Sequence, residues 1–320
     1  MTTTRRALTR EDLVPLARAA VGGGRALADA TRLPGGSKKG VYRLTFDDGF
    51  SAIAYVWSPD EDYWDAGPSD PRDPFSHGTG LDLFTAAHDR LAAAGVRTPR
   101  LLHVDTDARQ AVVEDLAGGS LEAALPHDPT LPDRLAVLLD TLHAHTGPRF
   151  GKVALVDAGG SSYGTSCEQR VLEGALRDIE EVAGREPRLA AVRDRVADRV
   201  RAWAAEVRPR ARHTLIHGEL GPDHVLLTPD GHLALIDIEG LLYFDVEWEH
   251  VFLELRFGQG YDALRRPGLD EDRLRFYRLA LHLSLVAGPL RLLDGDFPFT
   301  ESMRGIAEYN LVRVLELVGR

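Results

Sequence analysis

The densest group of polar residues on an apolar background lies between residues 217 and 239. Glu219 is followed five residues later by His224, and a turn at Pro229-Asp230-Gly231 leads into an apolar run that ends at Asp237. A hairpin of this kind can bring two carboxylates and an imidazole around one divalent cation. Phosphoryl transfer needs such a set, because one group must orient the acceptor hydroxyl while metal ligands hold Mg²⁺ between the phosphates. The spacing therefore indicates a candidate phosphoryl-transfer centre.

A second candidate region is the glycine-rich stretch Gly35-Gly36-Ser37-Lys38-Lys39-Gly40, which precedes the alternating apolar residues 41–46. Glycines allow a backbone to approach phosphate oxygens, and an ammonium group there adds positive charge. Only Lys38, Lys39 and Lys152 are lysines among the 38 basic residues of the chain. Because two of the three lie in this loop, the pattern predicts a phosphate-binding loop. Two solvated turn lysines are the alternative.

These linked motifs resemble those of the aminoglycoside phosphotransferase and choline kinase-like family, whose loop commonly reads His-Gly-Asp-x-x-x-x-Asn and is followed by Ile-Asp. The resemblance implies an α+β, bilobal protein-kinase-like fold. A small β-rich N-lobe over residues 1–117 would bind the nucleotide, and a larger, mainly helical C-lobe over residues 118–320 would hold the catalytic and acceptor sites. It assigns catalysis to Glu219 and metal binding to His224 and Asp237, with ATP or GTP and Mg²⁺ or Mn²⁺ as cofactors.

The resemblance also identifies residues that support the site. The nucleotide-binding residues that it implies are Gly36, Ser37, Lys38, Lys39, Glu114 and Leu116. Glu114 and Leu116 belong to a hinge whose backbone would meet the purine. Asp245 and Glu249 match the acidic positions of a structural helix that follows the metal aspartate. Glu239 is expected to orient Asp237 or the loop rather than to bind metal.

Two departures from the family pattern lie in the catalytic loop. The catalytic aspartate is replaced by Glu219, whose carboxylate extends about 1.5 Å further from the backbone. The metal-binding asparagine is replaced by His224, and the only asparagine of the chain is Asn310, near its end. Mg²⁺ prefers oxygen ligands, whereas imidazole suits Mn²⁺ and softer ions better. Both replacements keep the chemistry of the site feasible. The alternatives are that Glu219 is a structural acid in a degenerate site and that His224 only hydrogen-bonds within the loop.

Two further departures concern the phosphate clamp. Residues 52–57, the strand that should carry a phosphate-pairing lysine, contain no Lys or Arg. Residues 81–88, the helix that should supply its glutamate partner, contain only Asp82 as an acid. Lys39, or Lys38, is therefore expected to replace the strand lysine.

The favoured interpretation is a phosphotransferase that moves the γ-phosphoryl group of ATP or GTP to a hydroxyl of a small molecule, such as an antibiotic-like natural product. A cationic acceptor would suit an acidic protein. One alternative is a pseudokinase that binds nucleotide or a partner without catalysis. Another is a kinase that acts on a peptide hydroxyl in natural-product maturation.

The elements around these motifs follow from periodicity and turn signals. Thr9-x-x-Asp12 predicts a capped helix up to residue 21, and Asp47-Asp48-Gly49 predicts a β-hairpin. Residues 58–80 lack periodicity, which indicates a disordered or surface loop. A helix is expected from 81 to 94, strands near 100–104 and 111–114, and helices over most of the chain after residue 120, including 168–207 and 272–319.

Composition narrows the class of protein. The net charge of −11 argues against a general binder of nucleic acid or of anionic membranes. The single cysteine, Cys167, excludes an intramolecular disulfide and a site with several cysteine ligands. No run of 18 apolar residues and no secretory pattern at the N-terminus is found. A cytoplasmic protein is the expectation.

Overall fold

The computed structural model describes residues 5–64, 70–76 and 78–319. The chain divides into two compact units, and each unit combines segments that are distant in sequence. The first unit contains Met1–Trp64, Gly78–Pro129 and Asp223–Glu239. The second unit contains Asp65–His77, Thr130–Pro222 and Gly240–Arg320.

Strands dominate the first unit, and helices dominate the second. The helices are α1 (Arg10–Val21), α2 (Leu81–Ala93), α3 (Leu121–Ala124), α4 (Leu131–His143), α5 (Val153–Asp157), α6 (Cys167–Ala183), α7 (Pro187–Ala190), α8 (Arg193–Glu206), α9 (Val246–Phe257), α10 (Glu271–Leu293) and α11 (Thr300–Gly319). The strands are β1 (Leu27–Arg32), β2 (Gly40–Phe46), β3 (Ser51–Val56), β4 (Leu101–Asp105), β5 (Gln110–Glu114), β6 (Thr146–Gly147), β7 (Gly151–Lys152), β8 (His213–Ile216), β9 (Val225–Leu227), β10 (Leu233–Leu235) and β11 (Leu242–Phe244). Within the described ranges, no helix is long and apolar enough to cross a membrane.

An antiparallel five-stranded sheet, in the order β1-β2-β3-β5-β4, forms the centre of the first unit. The predicted hairpin is present as β2 and β3, and Gly49 takes φ +83° in its turn, where glycine is favoured. Alternation along β2 buries Tyr42, Leu44 and Phe46 in one hydrophobic cluster with Leu13 of α1. Burial of this face stabilises the strands on which the glycine-rich loop depends.

The N-terminal helix forms as predicted, whereas the strand after it does not follow from the pattern. Thr9 caps α1 in a capping box with Asp12. Strand β1 then lies at the edge of the sheet, and Leu27 is its one buried residue. Such a strand has little alternation of apolar and polar residues, so hydrophobic periodicity does not predict it.

The hairpin of β9 and β10 belongs to the first unit together with the segment after residue 117. The backbone N–H of Leu227 donates to the Gly119 carbonyl (2.9 Å), and that of Leu235 donates to Arg97 (2.9 Å). A Cβ atom on Gly118 would clash with the carbonyl group of Leu227. These backbone contacts explain why the compact units do not follow the single boundary predicted at residue 117.

The main core of the second unit is built by helices α6, α8, α10 and α11. These include the charged helices predicted over 168–207 and the terminal helices predicted over 272–319. The four-stranded sheet β6-β8-β11-β7 contributes Phe244 to the same core. Arg273 is only 1% exposed within it and donates to Asp245 Oδ2 at 2.5 Å, so its charge is neutralised by a buried partner.

The described parts of the predicted loop 58–80 contain neither helix nor strand, and residues 65–69 and 77 lie outside the described residues. The segment 70–76 packs on the second unit. Its Phe75 ring lies 4.9 Å, between centroids, from an aromatic ring of α9. This part of the loop is therefore held by an apolar contact rather than left as a simple surface loop.

Candidate active site

The glycine-rich loop is fixed by its own backbone and by two aromatic residues. Gly36 has φ +68°, and a Cβ atom there would lie 2.9 Å from the Lys39 carbonyl oxygen. Ser37 Oγ accepts a hydrogen bond from Trp64 Nε1, and the Ser37 carbonyl accepts one from Tyr63 N, each at 2.8 Å. These contacts fix the backbone positions from which the Lys38 and Lys39 side chains extend.

The two lysines of the loop differ in environment. Lys39 is 7% exposed, and its Nζ donates to Asp237 Oδ1 at 2.7 Å and to Glu239 Oε1 at 2.6 Å. Lys38 is half-buried, with its ammonium 6.0 Å from the centre of the Trp64 ring. Burial alone would lower the pKa of Lys39, but the two carboxylates outweigh it and raise that pKa above its ordinary value. Lys39 is therefore a buried ammonium whose charged form is favoured by its two carboxylate partners.

Asp237 lies two residues after β10 and has an unusual backbone. Its φ of 57° is left-handed, a conformation that costs most non-glycine residues about 1–3 kcal/mol and often marks functional sites. The Lys39 charge holds the pKa of Asp237 well below its usual range. A 3₁₀ turn over Ile238–Gly240 follows, which brings Glu239 to the same ammonium. The turn thus directs two carboxylates at one cation.

His224 completes a set of donors that can hold a divalent metal. It ends the 3₁₀ turn Pro222–His224, and its carbonyl accepts a hydrogen bond from Ile236 N at 3.0 Å. The imidazole Nε2 lies 3.8 Å from Asp237 Oδ2. One cation can span this separation, because its bonds to ligands are about 2.1 Å long. A carboxylate and an imidazole on a half-exposed edge fit Mn²⁺ better than Mg²⁺, which prefers oxygen ligands.

A small recess lies beside the Lys39 ammonium within the first unit. Its walls include the rings of Tyr55 and Phe84, together with Val113 and Ile236. Its free volume is only about 10 Å³, room for about one water molecule, so with the side chains in these positions the recess does not hold a base or a sugar.

The predicted hinge uses its side chains for internal contacts. Glu114 pairs with Arg97 and accepts a hydrogen bond from Arg100 N at 3.1 Å. Burial alone would raise the pKa of Glu114, but these partners lower it below the ordinary value. The Asp115 side chain pairs with Arg43, and Leu116 is buried at 5% exposure. The backbone N–H of Glu114 also donates to the Arg100 carbonyl at 2.9 Å. Purine binding by the backbone of residues 114–116 stays a prediction.

In the second unit, the predicted catalytic residue follows β8 on a sharp turn. His217 is 1% exposed, and Gly218 has φ +91°. A Cβ atom on Gly218 would lie 2.7 Å from Leu242 Cδ2, so both the backbone and the packing require glycine. The turn leaves the Glu219 side chain exposed.

A buried carboxylate of α9 fixes this turn. Glu249 is fully buried, and its Oε2 accepts hydrogen bonds from His217 N at 2.5 Å and Gly218 N at 3.3 Å. Burial raises the pKa of Glu249 to about 7, although these backbone donors favour the ionised form. Asp245, at the start of the same helix, instead pairs with Arg273 in the core.

The sequence profile of the phosphotransferase enzyme family, APH, matches residues 30–284. The chain belongs to this family. No curated protein sequence matches it significantly, but solved structures do. It is similar to choline kinase LicA from Streptococcus pneumoniae, with 13% identity, a TM-score of 0.65 and 97% and 98% of the two chains covered. It is also similar to spectinomycin phosphotransferase APH(9)-Ia in complex with ADP and spectinomycin, with 12% identity, a TM-score of 0.64 and 98% of each chain covered.

A third similar structure is a variant of aminoglycoside phosphotransferase APH(4)-Ia in a ternary complex with AMP-PNP and hygromycin B. Its identity is 18%, its TM-score is 0.64, and 94% and 97% of the two chains are covered. These likenesses confirm the predicted family and the α+β, protein-kinase-like fold. Family membership makes the chain a kinase-like phosphotransferase.

The first unit brings together four of the residues considered from sequence, namely Lys39, His224, Asp237 and Glu239. Glu219 belongs to the second unit, where Glu249 fixes its loop. The sequence interpretation missed the bond between Glu239 and Lys39. One signal for it exists: a lysine displaced from its strand needs a new acid, and Glu239 stands two residues after the predicted metal ligand.

Proposed function

We propose that this phosphotransferase moves the γ-phosphoryl group of ATP or GTP to a hydroxyl group of a small molecule. The observation that supports it most is the buried Lys39 ammonium, bonded to Asp237 in the unit that carries the glycine-rich loop. In a site that had lost its function, one of the chain's three lysines would not be expected to lie buried against the predicted metal ligand. We therefore take Lys39 as the replacement for the cation that strand β3 lacks.

In the proposed step, Glu219 orients the acceptor hydroxyl and takes its proton. The acceptor oxygen forms a bond to the γ-phosphorus while the bond from that phosphorus to the bridging oxygen breaks, and the nucleoside diphosphate leaves with the electron pair. Lys39 neutralises charge on the phosphates. A divalent cation held by Asp237 and His224 would neutralise the rest when bound.

A small-molecule acceptor agrees with the names of the structurally similar proteins, which are a choline kinase and antibiotic phosphotransferases. The net charge of −11 favours a cationic acceptor. We therefore place amino alcohols and aminoglycoside-like compounds first among the candidates.

The test is phosphate transfer by the purified full chain from labelled ATP or GTP to a panel of small hydroxyl compounds, with Mg²⁺ or Mn²⁺. Glu219→Gln and Asp237→Asn should each reduce transfer at least about a hundredfold. Glu254→Gln is the matched control, because this carboxylate is 39% exposed and pairs with Arg278 on the surface.

Two results would contradict the proposal in different ways. A melting shift with nucleotide but no transfer to any acceptor would support the pseudokinase instead. If nucleotide produces no shift at all, nucleotide binding itself is wrong for this chain.

A further inference from the structure

Lys39 has two carboxylate partners that differ in their surroundings. Its Nζ lies 2.6 Å from Glu239 Oε1 and 2.7 Å from Asp237 Oδ1. The Glu239 side chain is 5% exposed, whereas the Asp237 side chain is 46% exposed. One ammonium thus joins a buried acid to an acid that a ligand can reach.

The surroundings of Lys39 show which bond can be exchanged. Glu239 is enclosed and has the Lys39 ammonium as its hydrogen-bonding cation, so losing that bond would leave a buried charge without compensation. The Asp237 carboxylate is half-exposed, so water can take the place of the ammonium when that bond is lost. The Asp237 bond is therefore the easier of the two to give up.

We propose that Glu239 is the positioning residue of a phosphate clamp carried by Lys39, and that Lys39 leaves Asp237 but keeps Glu239 when nucleotide phosphates arrive. The proposal rests on the proposed function for the nature of the ligand. It gives the ammonium an acid partner within the metal-binding loop, since α2 offers only Asp82, an exposed residue, in its first turn.

This exchange of partners predicts that substitutions at Asp237 and at Glu239 have opposite effects on nucleotide affinity. Replacing Asp237 by Asn removes the bond that Lys39 must break, so a nucleotide should bind more tightly in the absence of metal. Replacing Glu239 by Gln removes the bond that holds Lys39 in place, so the same nucleotide should bind more weakly. Simple electrostatics predicts tighter anion binding for both, because each variant loses one negative charge.

The first experiment measures ADP binding to the full chain by calorimetry in EDTA. We expect Glu239→Gln to weaken ADP about tenfold and Asp237→Asn to tighten it about threefold, in line with the strength of charged hydrogen bonds. Glu239→Asp keeps the charge on a shorter side chain and should recover part of the loss. Glu247→Gln is the matched control, because this 0%-exposed acid pairs with Arg210 in the second unit.

The second experiment measures Mn²⁺ binding without nucleotide, by the loss of the free-ion resonance. Lys39→Met should strengthen Mn²⁺ binding about tenfold, because the ammonium no longer competes for Asp237. Lys38→Met removes the same charge from the adjacent position and should change it less than about threefold.

The two experiments test the clamp separately from the transferase function. If Glu239→Gln and Asp237→Asn shift ADP affinity in the same direction, or if Lys39→Met and Lys38→Met change Mn²⁺ affinity equally, the clamp is overturned even where phosphate transfer is found. If the opposite shifts are found but no acceptor is phosphorylated, the clamp stands and the transferase function fails.

Discussion

Glu219 combines a side chain longer than that of the usual aspartate with a backbone that is anchored by the residues before it. The N–H groups of the two preceding residues both bind Glu249, and Gly218 is packed against Leu242. A loop held in this way keeps the distance between the Glu219 backbone and the acceptor constant. An active site must therefore use the extra methylene of Glu219 to bring its carboxylate to the acceptor hydroxyl.

Restoring the usual residue separates adaptation from decay. Glu219→Asp shortens the side chain by about 1.5 Å and should lower kcat by about a hundredfold, because the fixed loop cannot follow. The nucleotide KM should change little. Steady-state transfer kinetics check this, and an increase in kcat would show that the site prefers aspartate and has lost efficiency.

The types of these residues could be predicted from sequence, but their pairing could not. His224 and Asp237 are joined by one hairpin, so their proximity follows from local spacing. Lys39 lies 198 and 200 residues from its two partners, a separation that no periodicity encodes. The choice between Lys38 and Lys39 likewise depends on burial, which only the folded chain defines.

At the scale of elements, the hairpin of β9 and β10 depends on one close approach of backbones. Leu227 N donates to Gly119, and Ser120 bridges to Leu226. Gly118 has no room for a side chain where it meets the Leu227 carbonyl. The residues that flank this hairpin, His224 and Asp237, are therefore placed by a glycine far from them in sequence.

Gly118→Ala should push the hairpin away from its neighbour. We expect a loss of about 1–3 kcal/mol in the free energy of unfolding, as in other overpacked sites, and weaker Mn²⁺ binding. Urea unfolding and a Mn²⁺ titration measure the two effects. Gly24→Ala is the control, because its Cβ would meet nothing within 4 Å. Equal stability of the two variants would contradict the packing argument.

The contact between α9 and the catalytic turn gives stability a defined pH dependence. Burial raises the pKa of Glu249 from 4.5 to about 7 in the folded protein. Unfolding therefore releases a proton between these pH values, and the free energy of unfolding should fall by up to about 3 kcal/mol as pH rises through this window. Glu249→Gln cannot ionise and should lack this fall. Urea unfolding at pH 5 and pH 7.5 measures it, and parallel losses in both proteins would refute the assignment.

Elements with local signals could be predicted, and elements stabilised by distant partners could not. Helix α1 has its capping box, and the β2–β3 hairpin has its Asp-Gly turn. Strand β1 has only Leu27 buried and exists because β2 offers it hydrogen bonds. The hairpin of β9 and β10 is likewise held by partners distant in sequence. Its membership of the first unit therefore could not be predicted.

At the scale of the whole molecule, the charge decides little about the fold but bears on encounter with the acceptor. The chain has 49 acidic and 38 basic residues. Many arginines are paired on the surface, for example Arg188 with Glu308 and Arg291 with Glu181. Such pairs cancel locally, so the excess of acidic groups sets the long-range field.

That field should make the reaction sensitive to salt when the acceptor is cationic. Between about 20 and 300 mM monovalent salt, kcat/KM for a cationic acceptor should fall several-fold, because the Debye length shrinks from about 20 Å to below 8 Å. A neutral alcohol of similar size is the control, and its kcat/KM should change far less. Since kcat does not depend on encounter, it should stay nearly constant for both. Equal salt sensitivity of the two acceptors would show that the net charge does not steer the substrate, and the case for a cationic acceptor would then lose its electrostatic support.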